Sequence, residues 1–267
     1  MKRIICFLAI FVVGLGYLTS CMEGGNVQEG VAYGVLGWGK NGSVVLKTSG
    51  GNLYSPFLKN KEFEGELEMD KCYGMYYSLN GDLPENAPAV VELNGYYTVT
   101  IIQYGQIPDY YLQPYLADTS YIFPNEEPLV KGYEGGDYTS GYFFIAHTAY
   151  LPKDWDLSWN ISYDPHLMMP TEVGGRRYYD LFLRATIRKE GDEKTKINLS
   201  FLNAYYFGDY LREAANRERE ILGNLYSSSA SKFTLRFNYV SSLDRSTGKI
   251  TWKSDEQELF VASFLDQ

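Results

Sequence analysis

The chain has 267 residues and a net charge of −9 at neutral pH, with 24 Lys and Arg against 33 Asp and Glu. An acidic chain is a poor match for DNA, RNA or anionic lipid, which select clustered basic residues, and no basic run exceeds two residues, as at Arg176-Arg177. Tyr (25), Phe (14) and Gly (26) are abundant; aromatic residues suit pleated, half-buried surfaces and Gly marks turns, so the composition points to β structure.

The N-terminus opens with Lys2 and Arg3, followed by an apolar run from Ile4 to Leu18. That run has the length of a signal-peptide hydrophobic region and falls short of the ~20 residues a spanning helix needs. It ends in Leu18-Thr19-Ser20-Cys21, an aliphatic residue, two small ones and a Cys, which resembles a bacterial lipobox. In such signals the Cys thiol is acylated and the chain is cut just before it. The alternative is an ordinary secretory signal in which the Cys is incidental. The lipobox reading makes residues 1–20 a signal peptide, Cys21 the lipid-attachment residue and the stretch to residue 30 a short Gly/Glu tether. Loss of Lys2 and Arg3 makes the remaining chain more acidic, so membrane attachment has to come from acyl chains, two of which suffice for stable anchoring. Cys72 is then the one thiol left, without a disulfide partner, and reads as a small buried hydrophobe on a strand.

From Val31 the pattern is one of short strands. Val31 to Trp38 and Ser43 to Thr48 flank Asn41-Gly42, a hairpin signal because both residues tolerate positive φ. A third strand, Leu53 to Phe57, ends near Pro56. Glu64 to Leu79 alternates Leu67, Met69, Lys71 and Tyr73 against Glu66, Glu68, Asp70 and Cys72, which predicts a long strand with one wet face. Tyr96 to Tyr104 is apolar or aromatic on both sides and predicts a central strand. About five strands in this span fit a small, partly open barrel of OB type. Four prolines between Ile107 and Gly132 mark an irregular lead-in and a domain boundary.

A second strand series follows: Tyr142 to Tyr150, Trp155 to Tyr163, Tyr178 to Arg188, Lys196 to Tyr206, Phe233 to Tyr239 and Glu258 to Phe264. Trp155, Leu157, Trp159, Ile161 and Tyr163 share one face, as do Leu181, Leu183, Ala185 and Ile187. Strands of this number, with turn signals between them, predict a β-sandwich. One helix interrupts the series, with Asp209 as N-cap and Gly223 just past its end. Leu211, Ala214, Ala215, Ile221 and Leu222 give it a partial apolar stripe, and Glu213 and Arg217 are spaced to pair. It reads as a crossover helix on the sandwich edge, or alternatively as a partner-docking helix.

Motifs that carry chemistry are few. His147 lies in an apolar strand and His166 in a loop; no HExxH motif is present, so no metal site and no cofactor are expected. Glu126-Glu127 and the pair Asp154 and Asp156 are the obvious carboxylates for glycoside hydrolysis, but they read as solvated loop and strand faces. No catalytic residue is assigned, and an enzyme is not expected. Aromatic residues are the remaining lead, because exposed rings stack on sugars. Trp38, Trp252, Tyr133 and Tyr138 are the candidate ligand contacts, with Tyr110, Tyr111 and Tyr115 as further loop tyrosines.

The lipobox at Leu18 to Cys21, a Gly-rich barrel opening on Val31-Ala32-Tyr33-Gly34, and a sandwich carrying Arg176-Arg177-Tyr178-Tyr179-Asp180-Leu181 and Phe233 to Tyr239 follow one another in an order that resembles the NigD-like lipoproteins of Gram-negative anaerobes. The resemblance implies an N-terminal OB-like domain and a C-terminal β-sandwich, and no established catalytic residues. The expectation is an all-β chain: an OB-like five-stranded barrel over 31–112, then an immunoglobulin-like β-sandwich over 113–267 with one short inserted helix. The expected function is that of a lipid-anchored outer-membrane protein acting by binding or envelope organisation. Its partners would be the membrane, through the lipid, and another envelope protein or a glycan, with no nucleic acid.

Overall fold

The computed structural model describes residues 29–79, 92–93, 96–115, 119–165, 170–173 and 176–265. The expected signal peptide, Cys21, most of the expected tether, His166 and Gly174-Gly175 lie outside the described residues. By its internal contacts the chain divides into two units. One is Met1–Asp109 with Asp137–Phe144, and the other is Tyr110–Gly136 with Ile145–Gln267. The division falls at Asp109, close to the prolines, while the returning segment Asp137–Phe144 is an insertion that a contiguous division does not foresee.

The first unit contains β1 (Glu29–Trp38), β2 (Val44–Thr48), β3 (Gly51–Tyr54), α1 (Pro56–Phe63), β4 (Cys72–Leu79), β5 (Glu92–Leu93) and β6 (Tyr96–Gln106). β1 and β2 form the hairpin expected at Asn41-Gly42, with Gly42 at φ +71°. Antiparallel pairing continues from β2 to β3, from β1 to β4 and from β4 to β6, and a parallel pairing of β3 with β6 closes the barrel. Leu36, Val44, Leu46, Leu53, Tyr73, Met75 and Val99 fill its interior. Closure leaves no free edge among these five strands, which removes a template for aggregation.

Two expectations fail here. The stretch before Cys72 is not strand: Gly65 and Asp70 take positive φ, and only Cys72–Leu79 pairs. Its alternation carries into burial, with Leu67 in the barrel core, Met69 packed against it and Glu66, Glu68 and Asp70 exposed, but the backbone there is turn rather than strand. The structure also holds a second helix, α1. Pro56 does not merely end a strand but occupies the first helical turn, where its missing N–H costs nothing. Leu58 is fully buried in the barrel core while Phe63 is 90% exposed.

The second series runs β7 (Asp109–Tyr111), β8 (Gln113–Pro114), β9 (Leu129–Lys131), β10 (Gly136–Thr139), β11 (Tyr142–Pro152), β12 (Asp156–Tyr163), β13 (Thr171–Val173), β14 (Arg176–Lys189), β15 (Lys196–Tyr206), α2 (Gly208–Leu222), β16 (Lys232–Asp244) and β17 (Lys249–Phe260). One sheet is ordered β10-β11-β15-β7, with β9 on β11; the other is β17-β16-β14-β12-β8, with β13 on β14. Between the sheets His147 stacks on Trp159 at 4.8 Å, Trp159 meets Phe201, and Phe237 lies between Tyr133 and Phe207. Leu157, Trp159, Ile161, Leu181, Leu183, Ala185, Phe233, Leu235, Phe237 and Tyr239 are buried, as their alternation predicts. The sandwich is not purely antiparallel: β14 and β16 run parallel, because β15 and α2 carry the chain away and back between them.

Three local readings are corrected. The closing strand lies earlier than Glu258 to Phe264; it is β17, and Val261–Phe264 is a short 3-10 turn. The N-cap of α2 is Phe207 rather than Asp209, which instead pairs with Arg212 in the first turn. Arg217 pairs with Glu220, not Glu213. At the other end Gly223 does terminate α2, at φ +50°.

Candidate functional site

The sheet β17-β16-β14-β12-β8 turns one face into the sandwich core and the other outward. Along β14 the outward positions are Tyr178, Asp180, Phe182 and Arg184, alternating with the core residues Leu181 and Leu183. The parallel register sets Asp180 against Arg236 and Phe182 against Asn238. Asp180 therefore accepts from Arg236 Nε at 2.6 Å and Nη2 at 2.7 Å, from Asn238 Nδ2 at 2.7 Å and from Thr171 Oγ1 at 2.9 Å. Burial works against its charge, but these donors outweigh it and hold the carboxyl below the usual range. The Arg236 guanidinium also lies 4.6 Å from the Tyr178 ring centroid.

Further along the same face, Arg184 and Glu126 form a buried ion pair. Arg184 Nη1 donates to Glu126 at 3.2 Å and to the Tyr121 carbonyl at 2.8 Å, and its guanidinium sits 4.2 Å from the Phe123 ring and 5.0 Å from the Trp252 ring. Glu126 arrives on a strap that pairs with the end of β14: Ile187 N donates to Asn125 O and Glu127 N to Ala185 O. The strap takes up the β14 backbone beyond Leu183–Tyr239, where the β16 pairing ends. Burial raises the Glu126 carboxyl pKa, against the Phe123 N–H and Arg184. On the opposite face Glu218 of α2, also buried, accepts from Arg177 Nη2 at 2.7 Å and from Tyr179 Oη at 3.1 Å, tying the helix to β14.

The four candidate aromatics are divided between the two units. Trp38 and Tyr138 belong to the first unit, Tyr133 and Trp252 to the second. Trp38 is 58% exposed at the end of β1. Tyr138 is half-buried against Phe143. Tyr133 is corrected: it is only 7% exposed, stacks on Phe237 at 4.7 Å and donates to Gln257, so it is core rather than a surface platform. Its position follows from Gly132, where a Cβ would meet the Tyr239 ring at 2.3 Å, so the segment lies flat on β16. Trp252 is half-buried, donates from Nε1 to the Thr119 carbonyl and packs edge-on to Phe182. Among the loop tyrosines, Tyr110 stacks on Tyr205, Tyr111 leans on Tyr206 and Tyr115 donates to Asn160.

The carboxylates named from the sequence all have structural partners. Glu126 is held by Arg184 and Glu127 by Lys196 at 3.2 Å. Asp154 accepts from the Asp192 and Glu193 N–H groups at 2.7 and 3.1 Å, and Asp156 pairs with Arg188. Cys72 is fully buried and burial pushes its thiol up to about 12, with the Asp109 charge adding, so it is unreactive at neutral pH. Among the described residues no group of three or more His, Cys, Asp or Glu is placed to hold a metal ion. Sequence reasoning did not find the Asp180 and Arg184 clusters. The available signal was charge at strand positions flanked by core residues.

Residues 24–105 match the family model described as the lipoprotein OB domain. No curated protein matches the chain. Among solved structures, an uncharacterized protein from Parabacteroides merdae superposes with a TM-score of 0.69 at 20% identity, covering 86% of this chain and 98% of that one. A candidate lipoprotein from Bacteroides fragilis gives 0.53 at 10% identity, with 86% and 97% covered. A NigD-like immunity protein from Bacteroides caccae gives 0.47 at 12% identity over the same shares, a level that adds nothing to the argument. The chain thus pairs a match to the lipoprotein OB domain with a β-sandwich, the two-part arrangement that its resemblance to the NigD-like lipoproteins implied.

Proposed function

We propose that the protein is a lipid-anchored component of the cell envelope, held to the outer membrane through Cys21, and that it works by binding rather than by catalysis. The match to a lipoprotein OB domain beginning just past Cys21 supports the anchor. The observation that carries the binding reading is the disposition of polar and aromatic groups. Each carboxylate the sequence offers for chemistry is spent on a structural partner, whereas Trp38 stands open at the end of β1.

An exposed indole on a rigid strand end favours a glycan as the finer reading, since the flat apolar face of a pyranose stacks on an aromatic ring. Intrinsic fluorescence titrated with a panel of oligosaccharides tests it. Quenching that disappears in Trp38→Ala is expected; an unchanged spectrum across the whole panel would sink the glycan reading and leave another envelope protein as the partner class.

A further inference from the structure

We propose that β17 is an interaction edge, and that its partner is β17 of a second copy of this chain, paired antiparallel about a two-fold axis at Ser254. β17 is the terminal strand of its sheet, twelve residues long, and no described strand pairs with its outer side. Seven of its twelve residues are exposed, and apart from the Thr251 and Glu258 carbonyls, which accept from Ser241 Oγ and Gln257 Nε2, its outer N–H and C=O groups form an open template.

The charges along the strand are arranged by half. Lys249 and Lys253 lie towards its start, Asp255, Glu256 and Glu258 towards its end. An antiparallel self-pairing sets the basic half against the acidic half, so the pattern is complementary to itself. Geometry then fixes the register. Residues opposite one another in an antiparallel ladder point to the same face, so the axis must pass through a residue, not between two. Centring on Lys253, Asp255 or Glu256 sets like charges against each other. Centring on Trp252 pairs only the first half of the strand. Centring on Ser254 sets Lys253 against Asp255 twice, Trp252 against Glu256 twice and Thr251 against Gln257 twice, and uses nearly the whole strand. Lys253 is exposed and has no ion pair among the described residues, so this contact costs no existing one. Asp255 already accepts from Tyr133 N through one oxygen, which orients the carboxylate and leaves the other. Tethering to a membrane, where the proposed lipid anchor holds, raises the effective concentration of such an edge.

Site-directed crosslinking of the full-length chain in its own membranes tests the register. The axis brings the two Ser254 Cα atoms to about 4.5–5.5 Å, within disulfide reach. Ser254→Cys is expected to give a disulfide-linked dimer under mild oxidation. Glu258→Cys, far from its symmetry mate in this register, should stay monomeric, as should the parent chain, whose Cys72 is buried. On the Ser254→Cys background, Lys253→Asp should lower the crosslink yield about tenfold, and adding Asp255→Lys should restore it, a rescue that a folding defect would not show. A monomeric Ser254→Cys, equal crosslinking at Glu258→Cys, or a mixed disulfide with a different protein would each overturn the proposal. None of these outcomes bears on glycan binding at Trp38.

Discussion

His147 is a fully buried imidazole whose tautomer can be read from its neighbours. Nδ1 faces the Gly132 carbonyl, which only accepts, so Nδ1 carries the proton; Nε2, 2.8 Å from Tyr205 Oη, then accepts. Asn203 Nδ2 completes the chain by donating to the same Tyr205 oxygen. Burial lowers the His147 pKa to about 4, the Gly132 carbonyl partly opposing. Because the folded pKa is depressed, the neutral ring's contribution to stability is present above the unfolded value near 6.5. It is lost as pH falls towards 4, and the shift corresponds to roughly 3 kcal/mol. Urea unfolding of His147→Gln, which keeps hydrogen-bonding capacity without titrating, should therefore show a flatter fall in stability between pH 7 and 4.5 than the parent; equal slopes would refute the assignment. That His147 sits in the core was legible from the apolar residues around it. Its hydrogen-bond chain was not, because Gly132 and Tyr205 lie 15 and 58 residues away. The same distance hides Asp180 and Arg236, 56 residues apart, whose meeting depends on a parallel register that no local pattern encodes.

At the level of elements, long strands with one buried face were legible, since a period of two survives in β12, β14 and β16. The helix α1 was not. It has eight residues, one of them fully buried, and no repeating stripe, so its evidence in sequence reduces to Pro56 at a position that reads equally as a strand terminator. Its attachment to the barrel rests on Leu58, which contacts the interior lined by Leu36, Leu46 and Met75. A helix this short is not stable by itself and is held by that packing. Leu58→Ala should cost about 2–5 kcal/mol, the range for truncating a fully buried Leu. Thermal unfolding is the measurement, with Phe63→Ser at the exposed end of the same helix as the matched control that should leave the midpoint unchanged. Comparable losses at both positions would mean that α1 does not dock through Leu58. The false long strand before Cys72 has the complementary origin: Leu67 and Met69 face the core and the acids between them face solvent, but in a turn with positive φ at Gly65 and Asp70 rather than in a strand.

At the scale of the whole molecule, the proposed lipid anchor has electrostatic adsorption as its rival. Its charge of −9 and basic runs of no more than two residues disfavour adsorption to anionic lipid, which polybasic segments drive. No helix among the described residues is long and apolar enough to cross a bilayer. An acyl anchor at Cys21 and electrostatic adsorption differ in their response to salt. At about 1 M salt the screening length is near 3 Å, which releases a protein held by charge but not one held by buried methylenes, each worth about 0.8 kcal/mol. Membranes washed at high salt should therefore retain the parent chain, and detergent should release it. Cys21→Ala should pass to the soluble fraction without any wash, keep its signal peptide uncut at the lipobox position, and fail to incorporate an alkyne-tagged fatty acid. Retention of Cys21→Ala on salt-washed membranes would show that a protein–protein contact, and not the lipid, is the anchor, and would make the free edge at β17 the first surface to test as that contact.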